Sequence, residues 1–303
     1  MSSAARERAS WKTTLGRLRD YDPVPLDLAV STDPHPSVAS GLRFAIATPS
    51  FNQADYLDRT IESVLGQNYP TLQYWVQDGA STDHTSEVLE RWREQGLDYE
   101  SAPDEGQADA INRGFGRVEG DVMAWLNSDD LLLPGSLRAV AQVFSQRPEV
   151  DVVYGHRILI DTEGRDVGRW IMPHHENGIL TWADYIPQET MFWRRTLWDQ
   201  VGGSLDTSFN FALDWDLILR FRDVGATFYR IPRFLGAFRV HEEQKTSAEM
   251  ASLGAQEMAK LRSRAAGRPV EQAEASERTK LYLAKASIYS SLWKLGLANY
   301  GPH

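Results

Sequence analysis

The chain has 303 residues, of which 42% are hydrophobic and 24% charged, a composition typical of a folded protein with a sizeable core. Its net charge of −10 argues against binding to a nucleic-acid backbone, which needs a basic surface, so we expect no nucleic-acid partner. The absence of cysteine excludes disulfides and thiolate metal sites. No apolar run approaches a membrane span of roughly 18–20 residues, and the N-terminus lacks the apolar core of a secretory signal, so we expect a cytoplasmic protein.

Residues 1–40 contain four prolines and many charges, which predicts an extended arm ahead of the core. From residue 41 onward, short apolar runs alternate with segments that carry apolar residues at helical spacing. Strands are expected at 42–47, 72–76, near Tyr99, at 121–126 and at 150–154. Helices are expected from Ala54, after the capping residue Asp83, around Ile111, and from Pro134 to Phe144. This alternation predicts an α/β fold with a Rossmann-like, mostly parallel sheet flanked by helices.

After Gly155 the alternation stops. The pattern predicts a hairpin at 157–170, a helix at 213–221, an extended segment at 227–240 and helices from about 246 onward. We therefore divide the chain into an arm (1–40), a central domain (41–155 and 156–245) and a C-terminal helical extension (246–303).

Four polar loops follow successive predicted strands: TPSFN, DGAS, DEG and NSDD. Ligands of parallel sheets bind at the carboxyl ends of the strands, so these loops are expected to converge on one site. In the last loop, Asp129 and Asp130 precede a proline-started helix, and two interpretations are open. They are either turn or cap residues, or oxygen ligands for Mg²⁺ or Mn²⁺ beside a phosphate. The scarcity of basic residues in these loops favours the cation, because a phosphate group would otherwise remain unneutralised.

Two further segments have alternative interpretations. In FALDWDLILRF, Asp214 and Asp216 fit a helix cap and a favourable helix-dipole charge, or Asp214 is a catalytic base. His241 follows the last predicted strand and is either an ordinary surface or core histidine, or a ligand. Trp125 and Trp193 are candidates both for the core and for stacking on a sugar.

Over about two-thirds of the chain, from Phe44 to Thr246, the order and spacing of these segments resemble family 2 glycosyltransferases with the GT-A fold. The segments that carry the resemblance are ATPSFNQADYLDRTIESVLGQNYP, YWVQDGASTDHT, SAPDEGQADAINRGF, DVMAWLNSDDLLLPGSL, PQETMFWRR and ALDWDLILRF. The resemblance implies a metal-dependent, inverting transfer of a sugar from a nucleotide-sugar, with a UDP-sugar expected. The acceptor would be a hydroxyl of a sugar or lipid-linked glycan, in bacterial polysaccharide or glycoconjugate synthesis.

The same resemblance implies roles for individual residues. Donor-binding residues would be Pro49 and Phe51 at the base and ribose, Asp78 at the uracil imide, Asp104 and Asn112 beside the nucleotide, and Asp129 at the ribose or the metal's water shell. Asp130 would bind Mn²⁺ or Mg²⁺ directly, His241 would reach the metal or diphosphate, and Lys245 a phosphate. Gln188, Glu189 and Trp193 would contact the acceptor.

Asp214 matches the general base of the family, which takes the proton of the acceptor hydroxyl. Family members usually carry an acidic residue immediately before this aspartate, whereas this chain has Leu213. This difference weakens the interpretation that two neighbouring carboxylates act together, but it leaves Asp214 itself as the candidate base.

Two other functions remain as alternatives. A nucleotidyltransferase would need a loop rich in Gly and Lys or Arg to bind a triphosphate, and TPSFNQ has neither basic residue. A non-catalytic relative that only binds nucleotide-sugars is expected to lose Asp130 or Asp214, and both are present. The segment from Lys280 to Tyr300 is interpreted either as a helix packed on the domain or another subunit, or as a peripheral contact with the inner face of the cell membrane.

Overall fold

The structure is a computed structural model that describes residues 16–26, 41–241 and 248–297. Its strands are β1 (Phe44–Ser50), β2 (Leu72–Asp78), β3 (Asp98–Ser101), β4 (Val122–Trp125), β5 (Leu131–Leu132), β6 (Val152–Ile160), β7 (Asp166–Trp170), β8 (Phe192–Arg194) and β9 (Phe228–Arg239). Its helices are α1 (Ala54–Leu65), α2 (Thr85–Arg93), α3 (Gln107–Phe115), α4 (Ser136–Gln146), α5 (Arg195–Gln200), α6 (Leu213–Asp223), α7 (Ala248–Ala266) and α8 (Gln272–Lys294). Short 3₁₀ turns lie at Asn177–Thr181 and Gln188–Thr190.

One nine-stranded sheet organises the described domain, in the order β3-β2-β1-β4-β8-β6-β9-β5, with β7 paired to β6. Strands β1 to β4 pair in parallel, as do β6 and β9. Strand β8 runs antiparallel to both β4 and β6 and so joins the two parallel blocks. The predicted α/β class, with a mostly parallel sheet and helices at the C-terminal end, is therefore confirmed.

The pleat of β1 explains how the core divides over the two faces of the sheet. Phe44 and Ile46 belong to one buried cluster, whereas Ala45 and Ala47 belong to the other. Successive side chains of a strand point to opposite faces, so a fully buried parallel strand is apolar throughout. The small alanines allow α3 to approach closely, since a Cβ on Gly114 would lie 3.0 Å from the Cβ of Ala47.

Two boundaries differ from the prediction. The strand expected at 150–154 and the first strand of the expected hairpin form one continuous strand, β6. Gly155 lies in its middle and has no side chain that would clash with the neighbouring strand, where a Cβ would lie 2.6 Å from the carbonyl oxygen of Arg233. Helix α4 begins at Ser136 rather than Pro134, because Gly135 has the left-handed φ of 76° and separates the proline from the helix.

The regions outside the central domain pack onto it where they are described. In the arm, Val24 forms a bridge with Asp166 of β7, and Asp20 pairs with Lys294 of α8. The division into arm, domain and extension stays a prediction. Among the described helices, none is both long and apolar enough to span a bilayer.

Candidate functional site

The loops after β1 and β2 form the first part of the site. Phe51 follows β1 directly and is 60% exposed, which is unusual for a phenylalanine. Its ring lies beside Gly79, and so does the carboxylate of Asp104 from the loop after β3. A Cβ on Gly79 would lie 2.7 Å from Asp104 Oδ2, so only glycine leaves room for this carboxylate. Phe51, Gly79 and Asp104 therefore bring together three of the four predicted loops.

Asp78 is buried at the end of β2 and holds the surrounding loops together. Its carboxylate accepts hydrogen bonds from the backbone N–H and hydroxyl of Ser81 and from the hydroxyl of Ser101. Because these donors fix both oxygens, the carboxylate is held in one orientation at the floor of the loops. Pro49, one residue before the end of β1, pairs in register with Gln77 and is also buried.

Two residues of these loops have left-handed backbones, Asn52 with φ 52° and Ala80 with φ 60°. Residues other than glycine rarely adopt this conformation, and such strain persists only where surrounding contacts enforce it. Here the side-chain oxygen of Asn52 accepts the backbone N–H of Thr82 at 2.8 Å, and the hydroxyl of Ser81 accepts the N–H of Asn52. The two loops are thus tied together as one rigid surface.

The second part of the site is the NSDD loop after β4. Asp130 is fully buried, and its Oδ1 accepts the backbone N–H of Arg239 at 3.0 Å. The hydroxyl of Thr60 on α1 donates to the carbonyls of Ser128 and Asp130, each at 2.8 Å. Neither aspartate caps α4, whose N-cap is Gly135 without a side-chain bond, so the cap interpretation of this pair is wrong.

His241 and Arg239 enclose the NSDD loop from the end of β9. His241 Nε2 lies 3.1 Å from Asp129 Oδ2, and its buried Nδ1 has no hydrogen-bond partner among the described residues. The guanidinium of Arg239 donates to the carbonyl of Asp129 and stacks 4.8 Å from the ring of Tyr56. His241 therefore lies beside Asp129 and the adjacent Asp130, although more than 100 residues separate them in sequence.

The electrostatics of Asp130 fit a cation. Burial, followed by repulsion from Asp129 and from Glu189, raises the pKa of the Asp130 carboxyl well above its usual range. A divalent ion would relieve this repulsion. Within the described residues, no group of three or more His, Asp or Glu side chains has the geometry of a complete metal site. The remaining ligands would have to be water and a bound phosphate, as is usual for Mg²⁺.

The third part of the site centres on Arg157, which comes from the middle of β6. Its guanidinium forms a buried, two-pronged ion pair with Glu189, with Nε 2.8 Å from Oε1. It stacks on the rings of Trp170 and Phe238, at 4.8 and 4.4 Å. Its charge also acts on Asp130 and on Asp214, which connects the NSDD loop with helix α6.

Asp214 is the second residue of α6, and its carboxylate is partly buried. Burial raises the pKa of Asp214 to about 6, partly offset by hydrogen bonds from the backbone and by attraction to Arg157. The N-cap residue of α6 is Ala212, so the cap interpretation of Asp214 is wrong. A buried carboxylate from α7, Glu257, accepts the N–H groups of Asn210, Phe211 and Ala212, each at 2.9 Å. The extension therefore stabilises the segment that leads into α6, while Asp214 Oδ1 accepts the N–H of Trp215, at 2.9 Å, in the first turn.

Two expected acceptor contacts are corrected by the structure. Trp193 is completely buried between other aromatic rings, so it cannot contact an acceptor. The side chain of Glu189 is fully buried in its ion pair with Arg157, so its role is to hold that cation. Both amide atoms of Asn112 bond the backbone of Leu205, at 3.0 and 2.8 Å, so Asn112 supports that loop, and its contact with the donor stays a prediction.

Gln188 is likewise engaged in the interior of the site. Its amide donates to the carbonyl of Trp125 at 2.9 Å and accepts from Asn127, whose own oxygen accepts from Gln107. This chain of amides connects α3 to the acceptor-side turn. Trp125 is a core residue, and Lys245 lies outside the described residues.

The sequence alone did not point to Arg157, Arg239 or Asp184, which the structure adds to the site. Arg157 and Arg239 interrupt or end apolar strands, HRILI and LGAFR, and a charged residue inside a buried strand is the signal that was available. Asp184 had no such signal, because the loop WADYIP has no regular pattern.

Comparison with known proteins gives a family match and several relatives. The model of "Glycosyl transferase family 2" matches residues 45–204. The O-antigen biosynthesis protein RfbC of Myxococcus xanthus is 30% identical over 216 residues, which cover 70% of this chain and 16% of that protein. A PGL/p-HBAD biosynthesis glycosyltransferase of Mycobacterium bovis is 27% identical over 181 residues, covering 58% of this chain and 68% of that protein.

An uncharacterized glycosyltransferase of Nostoc, alr2836, is 30% identical over 129 residues, covering 42% of this chain and 40% of that protein. The chain thus spans less than two thirds of the length of alr2836 and of RfbC.

Two solved structures share the fold. S. aureus TarS 1-349 in complex with UDP-GlcNAc superposes with a TM-score of 0.58 at 16% identity, covering 85% of this chain and 76% of that chain. The mannosyltransferase PcManGT from Pyrobaculum calidifontis, in complex with GDP-Man and Mn²⁺, superposes with a TM-score of 0.58 at 18% identity. The superposition covers 94% of this chain and 77% of that chain. At these identities the likeness shows the fold alone.

Proposed function

Because this chain belongs to glycosyl transferase family 2, we propose that it is a metal-dependent, inverting hexosyltransferase that uses a nucleotide-sugar, with a UDP-sugar as first candidate. We further propose an acceptor hydroxyl on a sugar or lipid-linked glycan, in polysaccharide or glycoconjugate synthesis, as the names of the relatives suggest. One observation carries the proposal: a buried carboxylate suited to a cation, Asp130, is linked through Arg157 to a carboxylate with the pKa of a working base, Asp214.

The donor would occupy the loops after β1, β2 and β3. Phe51 offers an exposed aromatic face for the base, and Asp78 a carboxylate that can accept the imide N–H of uracil. Asp104, above Gly79, would bind a ribose or base polar group, and Pro49 would support Phe51 from β1. The fold neighbours were solved with UDP-GlcNAc and with GDP-Man, which supports a nucleotide-sugar but leaves the base undetermined.

The residues that would hold a divalent ion are Asp130 directly, with Asp129 and His241 at its edge. Asp130 fits this role, as does the buried Nδ1 of His241, which has no hydrogen-bond partner within residues 16–26, 41–241 and 248–297, and Mn²⁺ in one fold neighbour supports it. When bound, such an ion stabilises the negative charge that develops on the departing nucleoside diphosphate. Lys245, outside the described residues, is proposed as a further phosphate contact.

Asp214 would act on the acceptor. Its carboxylate takes the proton from the acceptor hydroxyl while that oxygen forms a bond to the anomeric carbon, and the bond from this carbon to the diphosphate oxygen breaks. The electron pair leaves with the nucleoside diphosphate. A single displacement of this kind inverts the anomeric configuration, through an oxocarbenium-like transition state as in inverting glycoside hydrolysis.

The alternative function is a nucleotide-sugar-binding protein without turnover. One experiment distinguishes the two: a panel of UDP-, GDP- and dTDP-sugars is tested with Mn²⁺ for thermal stabilisation and for release of nucleoside diphosphate. An enzyme should be stabilised by one donor and should release its nucleoside diphosphate, into water or onto simple glycosides. Stabilisation without release from any acceptor mixture would favour the binding protein, and EDTA provides the metal control.

A further inference from the structure

Asp184 lies in the loop between the two 3₁₀ turns and has an unusual carboxyl group. Its Oδ1 is buried and has no hydrogen-bond partner among the described residues, while the backbone N–H of Ile186 donates to the same carboxyl group. An unsatisfied buried carboxyl oxygen costs about 1–3 kcal/mol, so native proteins usually provide a partner for it. The missing partner is therefore expected to be a molecule that the protein binds.

The charged groups that act on Asp184 come from two other elements. Asp214 of α6 is close enough to repel it, and Arg157 of β6 attracts it. Burial, followed by the repulsion from Asp214, raises the pKa of Asp184 well above its usual range. Glu189 acts in turn on Asp214, whose own pKa is about 6. Burial and the repulsion from Asp214 therefore both favour the protonated form of Asp184.

We propose that Asp184 is a specificity-determining residue that binds a second hydroxyl of the acceptor sugar, adjacent to the hydroxyl on which Asp214 acts. This inference rests on the proposed function. A protonated carboxyl group offers one donor and one acceptor, and a sugar hydroxyl can satisfy both. Neighbouring hydroxyls are a general feature of sugar rings, and two carboxyl groups from different segments can each bind one hydroxyl of such a pair.

The position of Leu213 explains why the second carboxyl group comes from another segment. Leu213 begins α6 and is buried in the main core cluster, so the residue before Asp214 does not reach the acceptor. Asp184 brings a carboxyl group to the same place from the loop that leads into the Gln188–Thr190 turn. The proposed acceptor site therefore has two carboxyl groups, as a pair of consecutive acidic residues would supply, but here they come from two separate segments of the chain.

The test uses the full chain with Mn²⁺, the donor found in the panel, and methyl glycosides of glucose, galactose, mannose and N-acetylglucosamine with their monodeoxy analogues. Steady-state rates are measured for the wild type, Asp184→Ala, Asp184→Asn and Asp214→Asn. Asp199→Ala is a matched control, because Asp199 is an exposed aspartate outside the proposed site. It lies near Arg43, the residue directly before β1, at the opposite end of that strand from Phe51.

We expect Asp184→Ala to raise KM for the accepted glycoside by about tenfold, the value of one hydrogen bond, with a smaller change in kcat. Asp184→Asn, which keeps a donor and an acceptor, should recover most of the affinity. The wild type should discriminate against the analogue that lacks one particular hydroxyl, and Asp184→Ala should lose that discrimination at this position only.

An unchanged KM in Asp184→Ala, or discrimination equal to that of the wild type, would overturn the inference while the proposed function stands. An equal loss for all deoxy analogues would indicate a structural role and would also overturn it. Full turnover by Asp214→Asn, in contrast, would remove Asp214 as the proposed base, and a wild type that releases no nucleoside diphosphate with any donor and acceptor would remove the proposed function.

Discussion

The proposed donor side and the proposed acceptor side of the site are built in different ways. On the donor side, each side chain lies a few residues beyond a strand end, and its contacts lie in nearby loops, as for Asp78 with Ser81 and Ser101. On the proposed acceptor side, the guanidinium of Arg157 in β6 interacts with three carboxyl groups, those of Asp184 and Glu189 from one loop and its turn and that of Asp214 from α6. The donor side depends on local turns and the acceptor side on long-range electrostatics, so the two should respond differently to substitution.

The largest effect is expected for Asp130→Ala, which removes the buried carboxylate of the NSDD loop. Loss of metal-assisted stabilisation should raise the activation free energy by about 5 kcal/mol, which lowers kcat/KM by nearly four orders of magnitude. Release of nucleoside diphosphate in a Mn²⁺ titration measures this, with Asp199→Ala as the control. Activity within tenfold of the wild type at saturating Mn²⁺ would show that Asp130 does not hold the ion.

Asp214→Asn should separate the two sides of the site. Loss of the base should lower kcat by about 10³-fold, whereas donor-dependent thermal stabilisation should stay at the wild-type level because Asp214 lies outside the donor loops. Parallel measurement of turnover and stabilisation tests this. A variant that loses donor binding to the same extent would mean that the two sides are not separable.

Arg157→Met should affect folding, because it leaves Glu189 buried without its partner. Removing one member of a buried pair costs about 3 kcal/mol or more, and Glu189→Gln in the same chain should recover part of it. Urea unfolding at pH 7 measures both variants. Arg165→Met is the matched control, since its pair with Asp161 is more exposed and is worth about 1 kcal/mol or less. Equal losses for the two arginines would contradict the central role of Arg157.

The pH dependence of turnover should follow Asp214. Its pKa of about 6 lies above the usual value for aspartate, and the base works only when ionised. The rate should therefore rise with pH through about 6, be constant above it, and fall about tenfold per pH unit below it. A kcat profile at saturating donor and Mn²⁺ tests this. A profile that stays flat to about one and a half pH units below that pKa would exclude Asp214 as the base.

The smallest effect is expected at the exposed face of α8, where Leu281, Ile288, Leu292 and Leu295 lie along one side of the helix. If this face contacts membranes, lipid vesicles should carry part of the protein upward in flotation. Replacing these four residues with Gln should abolish that fraction. The control is Val224→Gln, which changes an exposed apolar residue at the end of α6. Flotation that is equal in all variants would contradict the membrane interpretation.

Much of the fold followed from the sequence, because alternating apolar runs and helical spacing are local signals. The donor loops followed for the same reason: in a parallel sheet, residues just after the strands must meet at one edge. Phe51, Gly79 and Asp104 meet there as expected. The extra length of β6 and the start of α4 depended on Gly155 and Gly135, whose effects are backbone contacts that the apolar pattern does not record.

Only the tertiary structure decided the acceptor side. Trp193 and Glu189 are buried because of what packs around them, and Glu257 of α7 accepts the N–H of Ala212, the N-cap residue of α6. Asp184 meets Asp214 only through the folding of two distant segments. The sequence therefore determined which strands and loops form, since these depend on neighbouring residues. Burial, ion pairing and shifted pKa values depend on contacts across the whole chain, and the structure alone determined them.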